Sequence, residues 1–269
     1  MTLAKELEQR IDDPELVSAQ QRHAIRASGN FFLLSRPGSG KTRTAGIRVA
    51  RLASQSPPMR VAATSYTNIA IAQIEDTIRE WGVVLGPQHF TGTLHGFLLR
   101  HVLYPFGHLE PVNLKRPFRL VGDAEWAGWP PVIFRDDARR RMSVGLLHYN
   151  ADGSFKVYSL PRTLGLTHEE AANEEASQAR RLKKECRERG LVSLSDAMFY
   201  AQKVLEEHPN ICAAAAARFE ELIVDEAQDT SDVQMRCLEL LHATGELKSL
   251  VLIGDLDQSI YSFQGANPE

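Results

Sequence analysis

The chain has 269 residues, of which 43% are hydrophobic and 24% charged, and this is sufficient for a buried core in one or two domains. Its formal net charge of −3 at pH 7 does not indicate a globally basic nucleic-acid binder, although basic residues confined to one groove would leave that average unchanged. We expect a cytoplasmic protein with reduced thiols, because no apolar run approaches the roughly 18 residues of a membrane span, the polar start MTLAKELEQRIDD is no export signal, and the three cysteines form no CxxC pair.

Four short apolar runs predict buried strands that alternate with helical patterns. The runs are Phe31–Ser35, Val61–Thr64, Leu222–Asp225 and Leu250–Gly254. Strands that alternate with helices indicate an α/β fold with a parallel sheet and right-handed crossovers. Ligands bind such sheets beyond the carboxyl ends of the strands, and the polar motifs of this chain follow its predicted strands directly.

The long interval between the second and third of these strands predicts a subdomain inserted into the sheet domain. Its early part, Val102–Gly190, contains many prolines and differs in pattern from the strand–helix alternation around it. We therefore predict that residues 1–101 and 191–269 form the sheet domain, and that residues 102–190 form a mainly helical insert.

Inside this insert the sequence predicts a hairpin and a charged helix. The hairpin would join Met142–His148 to Phe155–Leu160 through the turn sequence Asn150-Ala151-Asp152-Gly153. The helix would cover about His168–Arg189. Its basic run, Arg180–Lys184 with Arg187 and Arg189, indicates a solvated helix face or, alternatively, a surface that follows a phosphate backbone.

A glycine-rich loop follows the first predicted strand and precedes a helical pattern. Its sequence is Ser35-Arg36-Pro37-Gly38-Ser39-Gly40-Lys41-Thr42. The loop ends in the GKT of the GxxxxGK[ST] pattern, with serine at the first glycine position. Its glycines let the N–H groups of Gly38, Ser39 and Gly40 converge on phosphate oxygens, while Lys41 supplies positive charge and Thr42 a magnesium ligand. A chance turn of this composition is the alternative, which the flanking strand and helix disfavour.

A second motif supplies the acidic partner that a phosphate-bound magnesium ion needs. The segment Glu221-Leu222-Ile223-Val224-Asp225-Glu226 is an apolar strand that ends in two carboxylates. Asp225 would hold Mg²⁺, and Glu226 would orient and deprotonate the water that attacks the γ-phosphate. Acidic residues at a helix N-terminus are the alternative interpretation, which the glycine-rich loop makes the weaker one. The two motifs together predict a P-loop NTPase.

Five segments indicate which family of P-loop NTPases this chain resembles. They are Gln21-Arg22-His23-Ala24-Ile25, Thr64-Ser65-Tyr66-Thr67-Asn68, Gly92-Thr93-Leu94-His95, Asp225-Glu226-Ala227-Gln228-Asp229-Thr230-Ser231 and Gly254-Asp255-Leu256-Asp257-Gln258-Ser259-Ile260-Tyr261-Ser262-Phe263-Gln264-Gly265-Ala266. In this order they resemble the QRxA, TxTN, GTxH, DExQDT and GDxDQSIYxFRGA segments of superfamily 1 DNA helicases of the UvrD/Rep family. The last two matches are long and each follows a predicted strand, so the resemblance is highly specific.

The resemblance implies a role for each matching residue. Gln21 would read the edge of adenine, Arg43 would lie near the base, and Gln258 would sense the γ-phosphate beside Lys41 and the two carboxylates. The residues whose family counterparts contact DNA are Thr67, Asn68, Thr93, His95 and Phe263. Phe263 would stack under a base, an interaction of about 1–3 kcal/mol that tolerates any DNA sequence. From the residues alone, a core aromatic and a hydrogen-bonded structural histidine remain the alternatives for Phe263 and His95.

The resemblance also implies an architecture and an activity. The architecture is a RecA-like parallel sheet flanked by helices, with an inserted subdomain. The activity is that of an ATP- and Mg²⁺-dependent 3′-to-5′ DNA helicase or translocase, with single-stranded DNA as its partner and stimulator. In this family a second RecA-like domain supplies arginines to the γ-phosphate. We therefore expect this chain to be the N-terminal ATP-binding portion, which alone hydrolyses ATP poorly and depends on that domain or on a partner chain.

Two other functions remain as alternatives. One is a nucleic-acid-binding ATP sensor within a nuclease or defence complex, without motor activity of its own. The other, a kinase or GTPase unrelated to DNA, does not account for the setting of Gln258. Departures from the family pattern are Ser35-Arg36 in the loop, Ile69 and Gln73 after the TxTN segment, and Gln264 in place of the FRGA arginine. The replacement of this arginine by Gln264 predicts weaker coupling to DNA without loss of ATP binding.

Overall fold

The computed structural model describes residues 2–36, 38–126, 129, 131–133, 141–157, 167 and 176–255. Two predicted site residues, Gln258 and Phe263, lie outside the described residues. The chain forms two compact units: the first contains residues up to 97, residues 213–230 and those from 241 onward, and the second contains residues 98–212 and 231–240. Within the described ranges, no helix is both long and apolar enough to cross a membrane.

The first unit is built on a parallel sheet. Its strands are β1 (Phe31–Ser35), β2 (Val61–Ser65), β3 (Phe90–Thr93), β10 (Glu221–Val224) and β11 (Ser249–Asp255). They lie in the order β1-β11-β10-β2-β3, and every pairing is parallel. The predicted α/β class with a parallel sheet is therefore confirmed. Because all carboxyl ends lie at one edge, the residues that follow the strands come together there.

All four predicted strands are present, and each observed end lies within one residue of the prediction. Strand β3 is an addition that the sequence does not predict. Its residues, Phe90-Thr91-Gly92-Thr93, include a single large apolar side chain, so no apolar run marks it. The strand forms because β2 offers a free edge, with Ala62 opposite Phe90 and Ser65 opposite Thr93.

The described part of the first unit contains five helices, and two of them begin at polar side-chain caps. The five helices are α1 (Leu3–Asp12), α2 (Ala19–Arg26), α3 (Lys41–Ala53), α4 (Asn68–Glu80) and α5 (Leu94–Leu98). At the start of α2, Ser18 Oγ accepts from Gln21 N–H while the Gln21 side chain accepts from Ser18 N–H. At the start of α4, Thr67 Oγ1 accepts from Ala70 N–H at 3.2 Å. These caps fix where α2 and α4 begin, whereas α3 begins after Gly40 without a side-chain cap.

A hydrophobic core covers one face of the sheet in this unit. The side chains that follow on this face at the strand ends therefore lie at the carboxyl edge. Buried side chains on this face include Val61, Ala63, Ile223, Val251 and Ile253 from the strands and Ile47, Ile74 and Trp81 from the helical side. Side chains alternate between the two faces of a strand. The next positions on the core face are therefore Ser65, Asp225 and Asp255, which are buried polar residues at the ends of β2, β10 and β11.

A buried ion pair joins α3 to the sheet. Arg48 contacts Glu221 through two parallel hydrogen bonds, of 2.6 Å from Nε and 2.7 Å from Nη2, and both side chains are almost fully buried. The remaining guanidinium nitrogen donates to the carbonyl oxygens of Ala24, in the last turn of α2, and of Ala27, directly after it. The pair neutralises two charges in the core and links α2, α3 and β10.

We predict that Arg48→Met lowers the free energy of unfolding by about 3–5 kcal/mol, because Glu221 would remain as an uncompensated buried charge. Urea unfolding followed by circular dichroism measures this change. Arg79→Met is the matched control, since the ion pair of Arg79 with Asp76 is exposed and should contribute far less. The double variant Arg48→Met/Glu221→Leu should recover most of the loss; equal losses for the single variant and the control would contradict the prediction.

The second unit consists of short strands and helices. Its strands are β4 (Arg119–Leu120), β5 (Val132–Ile133), β6 (Arg141–Met142), β7 (Leu147–Tyr149), β8 (Phe155–Val157) and β9 (Leu191–Val192). Its helical segments are a π-helical turn (Leu99–Leu103), α6 (Tyr104–Phe106), α7 (Asp123–Trp126), a 3-10 turn (Val144–Leu146), α8 (Ala176–Glu188) and α9 (Leu194–Glu207). Helices α10 (Pro209–Ala216) and α11 (Asp232–Ala243) follow along the chain.

The predicted hairpin is present but shorter than predicted. Residues 147–149 pair with residues 155–157 in antiparallel register. The prediction was wrong for Met142, which lies in β6 and pairs with β5. Ser143 Oγ accepts from Gly145 N–H and starts a 3-10 turn that separates β6 from β7, a break that apolar patterning does not reveal. Residues 158–160 of the predicted second strand lie outside the described residues.

The second unit extends beyond the predicted insert of residues 102–190. Helix α9 belongs to it because Phe199 stacks on Tyr149 with ring centroids 4.1 Å apart. A buried ion pair of 2.7 Å between Lys183 and Asp196 also joins α8 to α9. Such contacts between distant segments leave no mark in the local composition from which the boundaries were predicted.

Helix α8 covers the second half of the predicted charged helix, whose residues 168–175 lie outside the described part of the chain. Two of its arginines lie over aromatic rings of the same unit: Arg180 is 5.8 Å from the ring centre of Phe155, and Arg187 is 5.6 Å from that of Tyr200. Arg180, Arg181 and Lys184 are exposed, as the predicted solvated helix face requires, whereas Lys183 of the same run is buried.

Candidate functional site

The glycine-rich loop between β1 and α3 turns at two glycines. Gly38 has a φ of 77° and Gly40 a φ of 83°, in the left-handed region that favours glycine. A Cβ atom on Gly40 would lie 2.8 Å from Gln21 Nε2, so a larger residue there would also displace the Gln21 side chain. Helix α3 begins at the next residue, Lys41, and the N–H groups of its first turn have no partners within the helix. The loop therefore forms an anion-binding helix N-terminus.

Thr42 and Asp225 meet at the carboxyl edge of the sheet, as the motifs predict. Thr42 Oγ1 donates to Asp225 Oδ2 at 2.8 Å across 183 residues of sequence. Asp225 has no exposed surface. Burial raises the pKa of its carboxyl group, and the hydrogen bond from Thr42 opposes that rise. The carboxylate thus lies where a cation would be strongly favoured.

The oxygen atoms present suit a magnesium ion. Among the described residues, Asp225 Oδ1 has no hydrogen-bond partner although it is buried, which leaves a carboxylate oxygen open to a ligand. The hydroxyl of Thr42 and this carboxylate are hard oxygen donors, and Mg²⁺ takes few protein ligands because it retains water and phosphate oxygens. The described residues accordingly contain no cluster of three or more His, Cys, Asp or Glu side chains that would form a complete protein cage.

Lys41 lies beneath the loop, almost fully buried. Its Nζ is 3.7 Å from Asp255 Oδ2, and the two side chains are 8% and 4% exposed. The strand pattern does not predict this pair, because Asp255 is far from Lys41 in sequence. A partner at this distance holds the ammonium group loosely, so Lys41 can turn to an anion in the loop.

Glu226 occupies an unusual backbone conformation. Its φ of 54° and ψ of 44° lie in the left-handed region, which costs a non-glycine residue about 1–3 kcal/mol. Gln228, in the 3-10 turn Ala227–Asp229, donates from Nε2 to Glu226 Oε2 at 2.6 Å. Gln228 Oε1 in turn accepts from Asp255 N–H at 3.1 Å. One amide therefore fixes the Glu226 carboxylate relative to the end of β11.

These groups line a single open groove of about 650 Å³. Its lining residues are Gly38, Gly40, Lys41, Thr42, Arg43, Thr67, Ala70, Gln73, Glu226, Gln228, Asp229 and Asp255. The groove is lined by the phosphate-binding loop, a lysine, the Thr42 hydroxyl and the Glu226 carboxylate, and the buried Asp225 contacts Thr42 from behind this lining. This is the arrangement that phosphoryl transfer from a nucleoside triphosphate to water needs.

A family model agrees with this geometry. The model of the UvrD/REP helicase N-terminal domain matches residues 17–269, which is most of the chain. The chain belongs to this family. The predicted resemblance is thereby confirmed, and the parallel sheet flanked by helices is the RecA-like core of a UvrD-type domain.

Individual relatives give the same result. DNA helicase II of Escherichia coli is 27% identical over 271 residues, which cover 93% of this chain and 35% of the relative. The ATP-dependent DNA helicase PcrA of Leuconostoc citreum is 26% identical over 259 residues, covering 92% and 33%. A component of an ATP-dependent helicase/nuclease of Exiguobacterium sibiricum is 40% identical over 85 residues, covering 30% and 7%. The chain thus spans about a third of the length of the helicases that it matches throughout.

The two residues predicted to contact adenine in this UvrD-type domain both make other contacts. Gln21 donates from Nε2 to the carbonyl of Ser39 at 3.3 Å, in addition to capping α2. Arg43 lines the groove, and its Nη1 donates to the carbonyl of Leu16 at 2.9 Å. Both side chains therefore adjoin the phosphate loop, and both also stabilise the segment that precedes it.

Of the five predicted DNA-binding residues, the four that the structure describes (all except Phe263) lie at the ends of two neighbouring strands. Thr67 and Asn68 follow β2, and Thr93 and His95 follow or end β3, which pairs with β2. Thr67 also lines the groove described above, where its hydroxyl caps α4. Thr93 Oγ1 accepts from Gly96 N–H at 3.0 Å. Burial lowers the pKa of His95, so this side chain favours the neutral state.

Sequence reasoning assigned no role to three polar residues of this region. Gln228 and Asp255 lie inside motifs that the resemblance identifies, but their contacts with Glu226 and Lys41 depend on the fold. Ser65 ends β2 and is fully buried. The available signal was their position directly after apolar strands, where ligands bind in parallel sheets.

Proposed function

We propose that this chain binds ATP and Mg²⁺ in the groove and hydrolyses ATP as the N-terminal motor domain of an ATP-dependent DNA helicase or translocase. The observation that carries the proposal is the contact of Thr42 with the buried Asp225, with Lys41 and Glu226 beside it. Every member of this set matches a requirement of phosphoryl transfer. The helicase names of the relatives that cover the whole chain support the DNA-dependent part.

Hydrolysis forms a bond from a water oxygen to the γ-phosphorus and breaks the bond from that phosphorus to the β–γ bridging oxygen. Glu226 accepts the proton of the attacking water, in an orientation that Gln228 holds. Lys41 turns from Asp255 to the phosphate oxygens and neutralises the charge that collects there. Thr42 and Asp225 would hold Mg²⁺, which supplies positive charge to the β- and γ-phosphates.

Recognition of the base is proposed for Gln21 and Arg43. A primary amide has two N–H donors and two acceptor lone pairs on its oxygen. The contacts of Gln21 with Ser39 and Ser18 use one donor and one lone pair, so its amide retains the capacity to pair with an adenine edge. Arg43 likewise retains N–H groups beyond the one that contacts Leu16.

Single-stranded DNA would cross the carboxyl ends of β2 and β3, where Thr67, Asn68, Thr93 and His95 lie. Phe263 would stack on a base and Gln258 would sense the γ-phosphate; both roles rest on the family motif. The 3′-to-5′ direction rests on the same resemblance. Arginines from a second RecA-like domain or a partner chain would complete the groove, and a contribution of that kind can accelerate hydrolysis about 10³–10⁵-fold.

We predict that Gln228→Leu lowers kcat for ATP hydrolysis by up to about 10²-fold with little change in KM, because Glu226 loses the contact that orients it. Steady-state kinetics at saturating Mg²⁺ and single-stranded DNA measure the two constants separately. Gln202→Leu, at a buried glutamine of the second unit, is the control for loss of a buried amide. A rise in KM with unchanged kcat would show that Gln228 acts on nucleotide binding instead.

The proposal is tested by measuring ATP hydrolysis and DNA binding by the same chain. We expect a fluorescent ATP analogue to bind in the presence of Mg²⁺, a fluorescent single strand to bind at low salt, and the strand to accelerate hydrolysis. Absence of nucleotide binding at millimolar Mg²⁺ would overturn the proposal. Nucleotide binding without binding of the single strand would point to a P-loop enzyme that does not act on DNA.

A second candidate is an ATP-binding component of a nuclease complex that has no motor activity of its own. The local match of 40% identity to a protein named as part of a helicase/nuclease favours it. The presence of Glu226 disfavours it, since a sensor of ATP needs no general base. Binding of both ATP and single-stranded DNA with no turnover, even after the rest of a full-length relative is supplied, would support this candidate over the motor.

A further inference from the structure

Ser65, the last residue of β2, carries a buried hydroxyl that the fold does not use. The residue has no exposed surface. Among the described residues, its Oγ has no hydrogen-bond partner, and the same is true of Oδ1 of Asp225. Buried hydroxyl and carboxylate oxygens are nearly always hydrogen-bonded in proteins, so two such atoms in one region indicate a ligand that satisfies both.

The sheet register places these two side chains next to each other. Strands β2 and β10 are parallel, with Ala63 opposite Ile223, and the ladder continues through a 2.8 Å bond from Asp225 N–H to the carbonyl of Thr64. Ala63 and Ile223 both belong to the core on the face of α3 and α4. Since side chains alternate, Ser65 and Asp225 are neighbours on that same face, on strands about 4.8 Å apart.

The chemistry of the two groups fits a shared water molecule. Asp225 Oδ1 is an acceptor, whereas the hydroxyl of Ser65 has one donor and two acceptor positions. They form no hydrogen bond with each other. A water between them could donate to both oxygens. The other oxygen of the same carboxylate contacts Thr42, which marks the proposed metal position, and Mg²⁺ in proteins usually retains several water ligands.

We propose that Ser65 is a positioning residue of the magnesium site: its hydroxyl accepts a hydrogen bond from a water that is bound to the metal held at Thr42 and Asp225. The proposal rests on the proposed function, because the metal arrives with ATP. It assigns to the end of β2 a part in the nucleotide site, beside its predicted part in DNA binding. Residues that orient metal-bound groups in this way typically change metal affinity about 10–100-fold when they are replaced.

The test is the Mg²⁺ dependence of equilibrium binding of the fluorescent analogue mant-ATP, which needs no turnover. Ser65→Ala is expected to raise the Mg²⁺ concentration at half-saturation about tenfold or more, with near-normal nucleotide affinity at saturating Mg²⁺. Ser65→Thr keeps the hydroxyl and is expected to restore the wild-type midpoint. Ser249→Ala is the matched control: this buried serine of the same sheet donates to the carbonyl of Gly29 at 2.7 Å, at the amino end of β11.

Three outcomes decide the matter. A higher Mg²⁺ midpoint for Ser65→Ala alone, together with recovery in Ser65→Thr, supports the proposal. An unchanged midpoint for a folded Ser65→Ala protein overturns it and leaves Ser65 as a hydroxyl hydrated for structural reasons only. If the wild-type chain itself shows no Mg²⁺-dependent binding of mant-ATP, the proposed function fails and this proposal fails with it. Far-UV circular dichroism and the thermal midpoint establish that each variant is folded.

Discussion

Glu226→Gln is expected to lower kcat for ATP hydrolysis by about 10²–10⁴-fold, the usual contribution of a general base. Affinity for Mg²⁺-ATP should change little, because the phosphate loop, Lys41 and the Thr42–Asp225 pair remain intact. The substitution keeps the size of the side chain and an oxygen that can still accept from Gln228, so the local turn should persist. Single-turnover hydrolysis and equilibrium nucleotide binding measure the two effects separately.

The matched control is Glu220→Gln. Glu220 lies outside the groove and pairs with Lys248 at the opposite end of β10, so hydrolysis should not change. A loss of nucleotide binding in Glu226→Gln would show that Glu226 acts on the metal or the phosphates. Hydrolysis by Glu226→Gln at the wild-type rate would exclude Glu226 as the base. Asp229, the other carboxylate that lines the groove at this turn, would then be the next candidate.

Lys41→Met is the second large effect that we expect. Lys41 and Arg43 are the cationic residues that line the described groove, and Lys41 directly follows Gly40 of the glycine-rich loop. Removal of the lysine ammonium group should lower kcat about 10²–10³-fold, the usual loss when one group that stabilises transition-state charge is removed. Nucleotide affinity should fall as well, because the proposed contact of the lysine with the phosphates would also exist in the ground state. Isothermal titration calorimetry and steady-state hydrolysis measure the two losses.

Lys41→Met is also expected to lower the stability of the fold, and this effect needs its own control. Asp255 is almost fully buried 3.7 Å from Lys41, so the single variant leaves a buried carboxylate without its cation. The double variant Lys41→Met/Asp255→Asn removes that charge and should recover stability without recovering nucleotide affinity. Recovery of affinity in the double variant would mean that the role of Lys41 is structural, and the assignment to phosphate binding would be wrong.

Local sequence was sufficient to predict those features that a single short segment specifies. The glycine-rich loop was predictable because its left-handed turns at Gly38 and Gly40 require glycine, and because a strand and a helix flank it. Strands β1, β2, β10 and β11 were predictable because each is a largely apolar run, and β2 and β10 are buried along their whole length. Strand β3 was not, since its pairing with β2 and not its own composition makes it a strand.

The sequence by itself determined the class of the protein: a parallel α/β domain with a phosphate loop, two carboxylates after a strand, and segments typical of the UvrD/Rep family. The tertiary structure alone decided which polar groups share a site. The contacts of Lys41 with Asp255, of Gln228 with the N–H of Asp255, and the neighbouring positions of Ser65 and Asp225 all depend on sheet order and register. Those depend on which strands pair across more than a hundred residues. Periodicity within one segment reports the face of a strand but carries no information about its neighbour.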